Sequence, residues 1–185
     1  MSAKLGALLL VVAAVPAQAQ VFTPTYTSPR LVNELGVYVS DGPGDLAVEG
    51  IWRGGPLGLR VGFVDAADNL LSVGAEIRSS LPVEGAPLGL ALTAGIQGLV
   101  GDESALGIQG GLSAGYTFMS PGLAITPYLH PRLAAVKGYA QDDFEFELLA
   151  DVGVDLEVSP RLLLRFGVAL DDVGANWGVG IGWRR

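Results

Sequence analysis

From Leu31 to the end of the chain, apolar and polar residues alternate with a period of two, in short runs separated by clusters of Gly, Pro and Asp. An amphipathic helix repeats every 3.6 residues, whereas alternate side chains of a strand point to opposite faces, so the pattern predicts strands. Ten are expected, over Leu31–Ser40, Asp45–Arg53, Leu57–Val64, Leu70–Arg78, Leu88–Gly98, Ala105–Phe118, Leu123–Arg132, Phe144–Glu157, Leu162–Leu170 and Asn176–Arg184. Eight is the alternative count. Most of these runs are close to the nine to eleven residues that a tilted strand needs to cross a bilayer.

The two faces differ in kind. Leu57, Leu59, Val61 and Phe63 share one side of the third run, opposite Gly58, Arg60, Gly62 and Val64. In the last run Trp177, Val179, Ile181 and Trp183 oppose Asn176, Gly178, Gly180 and Gly182. A water-soluble barrel would turn the bulky face inward and show glycines to solvent, although Gly weakens a strand and adds no solubility. Reversed, the small residues relieve crowding inside and the bulky ones meet an apolar medium. Lipid is that medium, and in hydrocarbon every strand edge must be paired, so the sheet has to close. The predicted fold is all-β: a closed, up-and-down, antiparallel transmembrane β-barrel. The alternative is a secreted soluble barrel that binds an apolar ligand in its interior.

The connections divide by parity. The odd ones, Asp41 to Asp45, Asp65 to Asp68, Gly101-Asp102-Glu103, Gln141-Asp142-Asp143 and Asp171-Asp172, are all acidic; the even ones are Pro-containing turns such as Gly54-Gly55-Pro56 and Ser159-Pro160-Arg161. An even-stranded meander puts both termini and all even turns at one end and all odd loops at the other, as this asymmetry requires.

Ahead of the strands, residues 1–19 read as a signal peptide: Lys4, then an apolar run from Leu5 to Val15, then Ala17-Gln18-Ala19 as a cleavage site. The run is too short to span a bilayer as a helix. Residues 20–30 are rich in Pro and Thr and read as an extended tail, and residues 31–185 as the barrel. With 11 basic against 19 acidic residues and a net charge of -8, the chain lacks the basic face that nucleic-acid binding needs. It has no Cys and one His, which removes thiolate metal sites, Cys nucleophiles and most imidazole chemistry.

In signal peptide, alternation, turn asymmetry and the final strand Asn176-Trp-Gly-Val-Gly-Ile-Gly-Trp183, the chain resembles the small outer-membrane β-barrel proteins of diderm bacteria, the broad group of OmpA-, OmpX- and OmpW-like barrels. That resemblance implies an outer-membrane location, with lipid as the surrounding partner, short turns in the periplasm and acidic loops outside. The last strand looks like the group's C-terminal assembly signal. It departs from the group in carrying Arg184-Arg185 after Trp183, where an aromatic residue usually ends the chain.

Parity turns a set of charges inward: Glu34, Glu49, Arg60, Glu76, Arg78, His130, Arg132, Glu145, Glu147, Asp151, Asp155, Glu157 and Arg165. Acids exceed bases among them about two to one. Asp155 is expected across from Arg165, Glu147 within reach of Arg132, and His130 beside a carboxylate such as Asp151. Charges in a narrow interior are best tolerated in pairs, so this set predicts a lumen plugged by paired charges and a structural or surface-interaction role. The alternative is a narrow cation-preferring pore for ions or small solutes. No catalytic residues and no cofactor are expected. The residue two after His130 is Arg132, not the serine that lipid A deacylases of the outer membrane carry there. Asp41, Asp45, Asp102, Glu103, Asp142, Asp143, Asp171 and Asp172 form an acidic rim that could hold divalent cations and bridge to cell-surface polymers or envelope proteins. Pro127 and Pro131 predict a bulge or a frayed end in the seventh strand. Trp52, Trp177, Trp183, Tyr116, Phe118 and Phe144 gather toward strand ends as an interfacial girdle would.

Overall fold

The computed structural model describes residues 21–42, 46–65, 69–83, 88–138, 142–170 and 175–185. Residues 1–19, read above as a signal peptide, and the loop residues Asp45, Asp171 and Asp172 lie outside them. The strands are β1 (Glu34–Ser40), β2 (Leu46–Gly54), β3 (Leu57–Asp65), β4 (Leu70–Leu81), β5 (Leu88–Val100), β6 (Ala105–Tyr116), β7 (Phe118–Ser120), β8 (Leu123–Gly138), β9 (Glu145–Glu157), β10 (Leu162–Leu170) and β11 (Ala175–Arg184). β7 continues β6 beyond Thr117, and both pair with β8, so the described strands make ten staves. Each stave pairs antiparallel with its neighbours in sequence, and β1 pairs with β11 to close the ring. The all-β, closed, up-and-down ten-stranded barrel is the expected fold; the eight-stranded alternative is set aside.

The register sets the tilt. From Gly36 the pairings lead through Ile51, Arg60, Gly74, Gln97, Gly107 and Val136 to Glu145. Eight residues further along β9, Gly153 leads through Gly167 and Gly178 to Ser40, four residues above the start. One circuit therefore climbs twelve residues over ten staves, which inclines the strands by about 40° to the axis. Strands of 9 to 13 residues, such as β2 and β5, then cover roughly 23–33 Å of barrel height at about 3.3 Å per residue.

Burial alternates along the strands with the orientation read from the sequence. β1 runs inward at Glu34, Gly36, Tyr38 and Ser40 and outward at Leu35 and Val37; β2 and β10 alternate in the same way. Phe63, Ile77, Leu133, Phe146 and Leu148 are among the most exposed side chains, at 69%, 61%, 67%, 84% and 72%. Two small apolar clusters lie inside. One joins Val21 and Phe22 to residues at the odd-loop end, including Ala47, Val64, Leu70, Leu99 and Val136; the other joins Tyr26, Tyr38 and Ile51.

Pro127 and Pro131 neither bulge nor fray their strand. β8 runs unbroken for 16 residues, and its ladder with β9 includes both prolines. Successive strand N–H groups point to alternate sides, so two prolines four residues apart lack donors toward the same neighbour. That neighbour is β6 and β7, where the ladder skips the positions facing Pro127 and Pro131 while the register holds. Thr117 and Thr126 hydroxyls, 2.9 Å apart, bridge the gap.

Inward glycines are sockets for large interior side chains. A Cβ at Gly180 would overlap the Tyr38 ring, and one at Gly178 the Tyr26 hydroxyl. On the outer parity, a Cβ at Gly50 would meet only a carbonyl at 3.7 Å. Gly180→Ala is therefore expected to lower the temperature at which detergent-folded protein loses its compact, fast-migrating band on an unheated gel, by an amount equivalent to about 1–3 kcal/mol. Gly50→Ala should leave that temperature unchanged or raise it.

Candidate functional site

The lumen brings the chain's buried charges together around a feature the sequence reading left outside the barrel. Residues 21–29 are not a free tail. Val21 to Pro29 are all buried, and they run along the barrel axis from the odd-loop end, where Phe22 rests against Gly107, to the turn end, where Pro29 lies against Gly89 and Gly115. At that end Arg30 ion-pairs with Glu157, which also receives Arg184 at 2.5 Å. Nine residues reach at most about 30 Å, enough to traverse a barrel of this height.

The segment's main chain has no strand partner, so the wall supplies partners. Arg53 donates from Nη1 to the Tyr26 carbonyl at 3.0 Å and from Nη2 to the Thr25 carbonyl at 2.7 Å. Ser113 donates to the Thr27 carbonyl at 2.7 Å, and Thr25 N–H donates to Asp151 at 3.3 Å. The alternate hydroxyls are held too. Thr23 donates to Glu49 at 2.8 Å and accepts from Arg60 at 2.5 Å; Thr25 donates to Asp151 and lies 3.0 Å from His130 Nδ1.

The wall charges form linked groups. Glu34 receives Arg53 at 2.8 Å and Arg165 at 2.5 Å, Glu76 receives Arg53 at 2.7 Å, and Arg165 lies 3.1 Å from Asp155, its register partner. Arg78 is buried 3.4 Å from Glu76. Glu49 lies 3.4 Å from Arg60 and accepts from Ser72 at 2.8 Å. Asp151 gathers Arg132 at 2.9 Å and His130 at 3.3 Å, and the Arg132 guanidinium lies 5.3 Å from the Phe22 ring centroid.

Several expectations need correction. The inner wall carries no two-to-one excess of acid: the fully buried charges are Glu34, Glu49, Asp151 and Asp155 against Arg53, Arg78, Arg132 and Arg165, and the half-buried ones add Glu76 and Glu147 against Arg60, while Glu157 pairs with Arg30 and Arg184. Arg53, the last residue of the second predicted strand and missing from the inward set, shares inward parity with Glu49 and Ile51. Glu145 is not in the lumen, because it stands at the end of β9 and is exposed. Arg132, whose register partner Leu149 stands two residues from both Glu147 and Asp151, closes on Asp151 at 2.9 Å. The rim carboxylates Asp45, Asp171 and Asp172 lie outside the described residues. Asp41, Asp102, Glu103, Asp142 and Asp143 are described, and no three acidic or His residues among the described residues converge on a metal position.

Thr93, His130 and Asp151 stand in the order of a hydroxyl–imidazole–carboxylate relay, with Thr93 Oγ1 2.8 Å from His130 Nε2. Parity alone could have placed Thr93 in the lumen, but nothing local tied it to His130. The cavity beside them, lined also by Thr25, Gln109 and Glu76, has a volume of about 10 Å³, room for one water and not for an acyl group. No protein-family model matches the chain, and no curated protein is similar to it.

Asp151 is the junction of this site, holding Arg132, His130 and the axial segment at once. Asp151→Ala leaves Arg132 buried without its carboxylate and is expected to destabilise the folded barrel by about 3–5 kcal/mol, read as a lower urea midpoint at unchanged slope. Glu145→Gln, at an exposed strand end, should shift the midpoint by less than about 0.5 kcal/mol.

Proposed function

We propose that this protein is an outer-membrane β-barrel of a diderm bacterium, exported by a cleaved signal peptide, that acts as a structural or surface-interaction element of the envelope. The observation that carries the reading is the outer surface. Among the described residues thirty-six large hydrophobic side chains are exposed, spread over every stave. Removing each from water is worth about 1.5–3 kcal/mol, and a protein domain is stable by only about 5–15 kcal/mol. Among the described residues, the charges of the strands lie on the inward parity or at strand ends such as Asp65, Lys137 and Glu145. A surface of this size without charge is far larger than the few hundred Å² that soluble monomers tolerate. The aromatic residues support the same reading: Trp52, Trp183, Tyr116 and Phe118 lie at the turn end, and Trp177 and Phe144 at the loop end. Such belts mark the two levels where a membrane meets water.

The interior favours a closed barrel over a pore. Balanced, paired charges line it and the axial segment fills it, so neither a continuous water path nor an excess of carboxylates is available to draw cations. The acidic loops then remain as the surface offered to polymers or proteins outside the cell.

Expressed with its leader in a diderm host, the protein should pellet with the outer membrane and resist extraction by alkaline carbonate. Recovery in the soluble periplasmic fraction would contradict the reading. Refolded protein in a planar bilayer should give flat current traces at moderate voltage, whereas discrete steps would favour the pore.

A further inference from the structure

The axial segment is held as a peptide ligand is held, and we propose that the lumen is a binding site for an extended, uncharged peptide, which the chain fills with its own residues 21–29. The inference rests on the closed barrel and its contacts, and not on where the barrel resides.

Recognition falls on three kinds of group. The main chain is read at consecutive residues, through the carbonyls of Thr25, Tyr26 and Thr27 and the N–H of Thr25. Hydroxyls are read at alternate positions, Thr23 by Glu49 and Arg60, Thr25 by Asp151, and Thr27 by Glu76 at 3.5 Å. Aromatic rings are read four residues apart. Phe22 fits against Gly107 beneath Arg132, and Tyr26 fits over Gly178 with its ring 4.5 Å from that of Tyr38. A ligand for this site has an aromatic residue at positions one and five, hydroxyls at two, four and six, and no charge.

None of these contacts needs the covalent link to β1. Outside the segment the pairs close a neutral network of their own, Glu34 with Arg53, Asp155 with Arg165, Asp151 with Arg132, and Glu49 with Arg60. The segment is also under strain. Tyr26 has a φ of 51°, in the left-handed region that residues with a side chain rarely adopt. Such a conformation persists only where its surroundings enforce it. The tether supplies an effective concentration in the millimolar range. Its severing makes occupancy depend on the concentration of free peptide.

The test uses the full chain carrying a specific protease site between Arg30 and Leu31, a position where Leu31 is 37% exposed. The protein is folded in detergent, shown to be compact by its heat-modifiable band, and then cut. The probe is a fluorescent nonapeptide, Val-Phe-Thr-Pro-Thr-Tyr-Thr-Ser-Pro. Its anisotropy should rise saturably with cut barrel and stay flat with uncut barrel, and an analogue with Val in place of all three Thr should bind at least tenfold more weakly. No binding to cut, folded barrel, or equal binding of the two peptides, would overturn the proposal. If the insertion prevents folding, Thr23→Cys in the intact chain, which has no cysteine of its own, serves instead. Unlabelled nonapeptide well above the tether's millimolar effective concentration, unlike the trace fluorescent probe, should then speed labelling of Cys at this buried position by a thiol reagent at least tenfold, and an unchanged rate would count against exchange. A barrel that stays out of membranes but binds the peptide would leave this proposal standing and remove the location.

Discussion

The main chain of Val21–Pro29 carries amide and carbonyl groups with no ladder to join, and inside a ten-stranded barrel they must find partners on the wall. Much of the interior follows from that requirement. Arg53 meets two carbonyls at once through the two terminal nitrogens of its guanidinium fork, and a buried guanidinium needs carboxylates; Glu34 and Glu76 provide them. Asp151 accepts a main-chain N–H and a Thr hydroxyl from the same residue of the segment, and Arg132 and His130 offset its charge. Each added group occupies space, and a narrow lumen has little to give. Inward positions such as Gly178 and Gly180 are consequently glycine, and the bulk that a sheet of this length must carry falls on the outer face.

This chain of needs links the two halves of the functional reading. A lumen crowded with paired charges and an axial peptide leaves little room for further bulk, and most of the large apolar side chains of the strands stand on the outer face, which suits the proposed apolar surroundings. One set of positions determines the other through the period of two, because each strand residue removed from one face is delivered to the other.

Much of the barrel was legible in the sequence because the signal for it is local. Alternation within eight or ten residues marks a strand, and Gly, Pro or Asp clusters mark its ends. Once the turn at Ser159-Pro160 is placed, Asp155 opposite Arg165 follows by counting. The axial segment was not legible, since it has no periodicity and its partners are remote: Thr25 meets Asp151 across 126 positions of chain. Arg53 was hidden by its closeness to a turn, although parity with Glu49 and Ile51 pointed inward. The prolines of β8 were misread for a different reason. Proline removes a donor on one side only, and two prolines on the same side leave the other ladder intact.

The central claim is that the outer face meets acyl chains, and the three tryptophans of the chain report on it directly. Trp52, Trp177 and Trp183 all point outward, the first and last at the turn end and the second at the loop end. Protein folded into phosphatidylcholine vesicles should lose most of its tryptophan fluorescence to lipids brominated near the headgroup end of their acyl chains. Bromine near the chain ends should quench less, and acrylamide in the aqueous phase should quench little. Strong quenching by acrylamide with no response to brominated lipid would place these side chains in water and contradict the account.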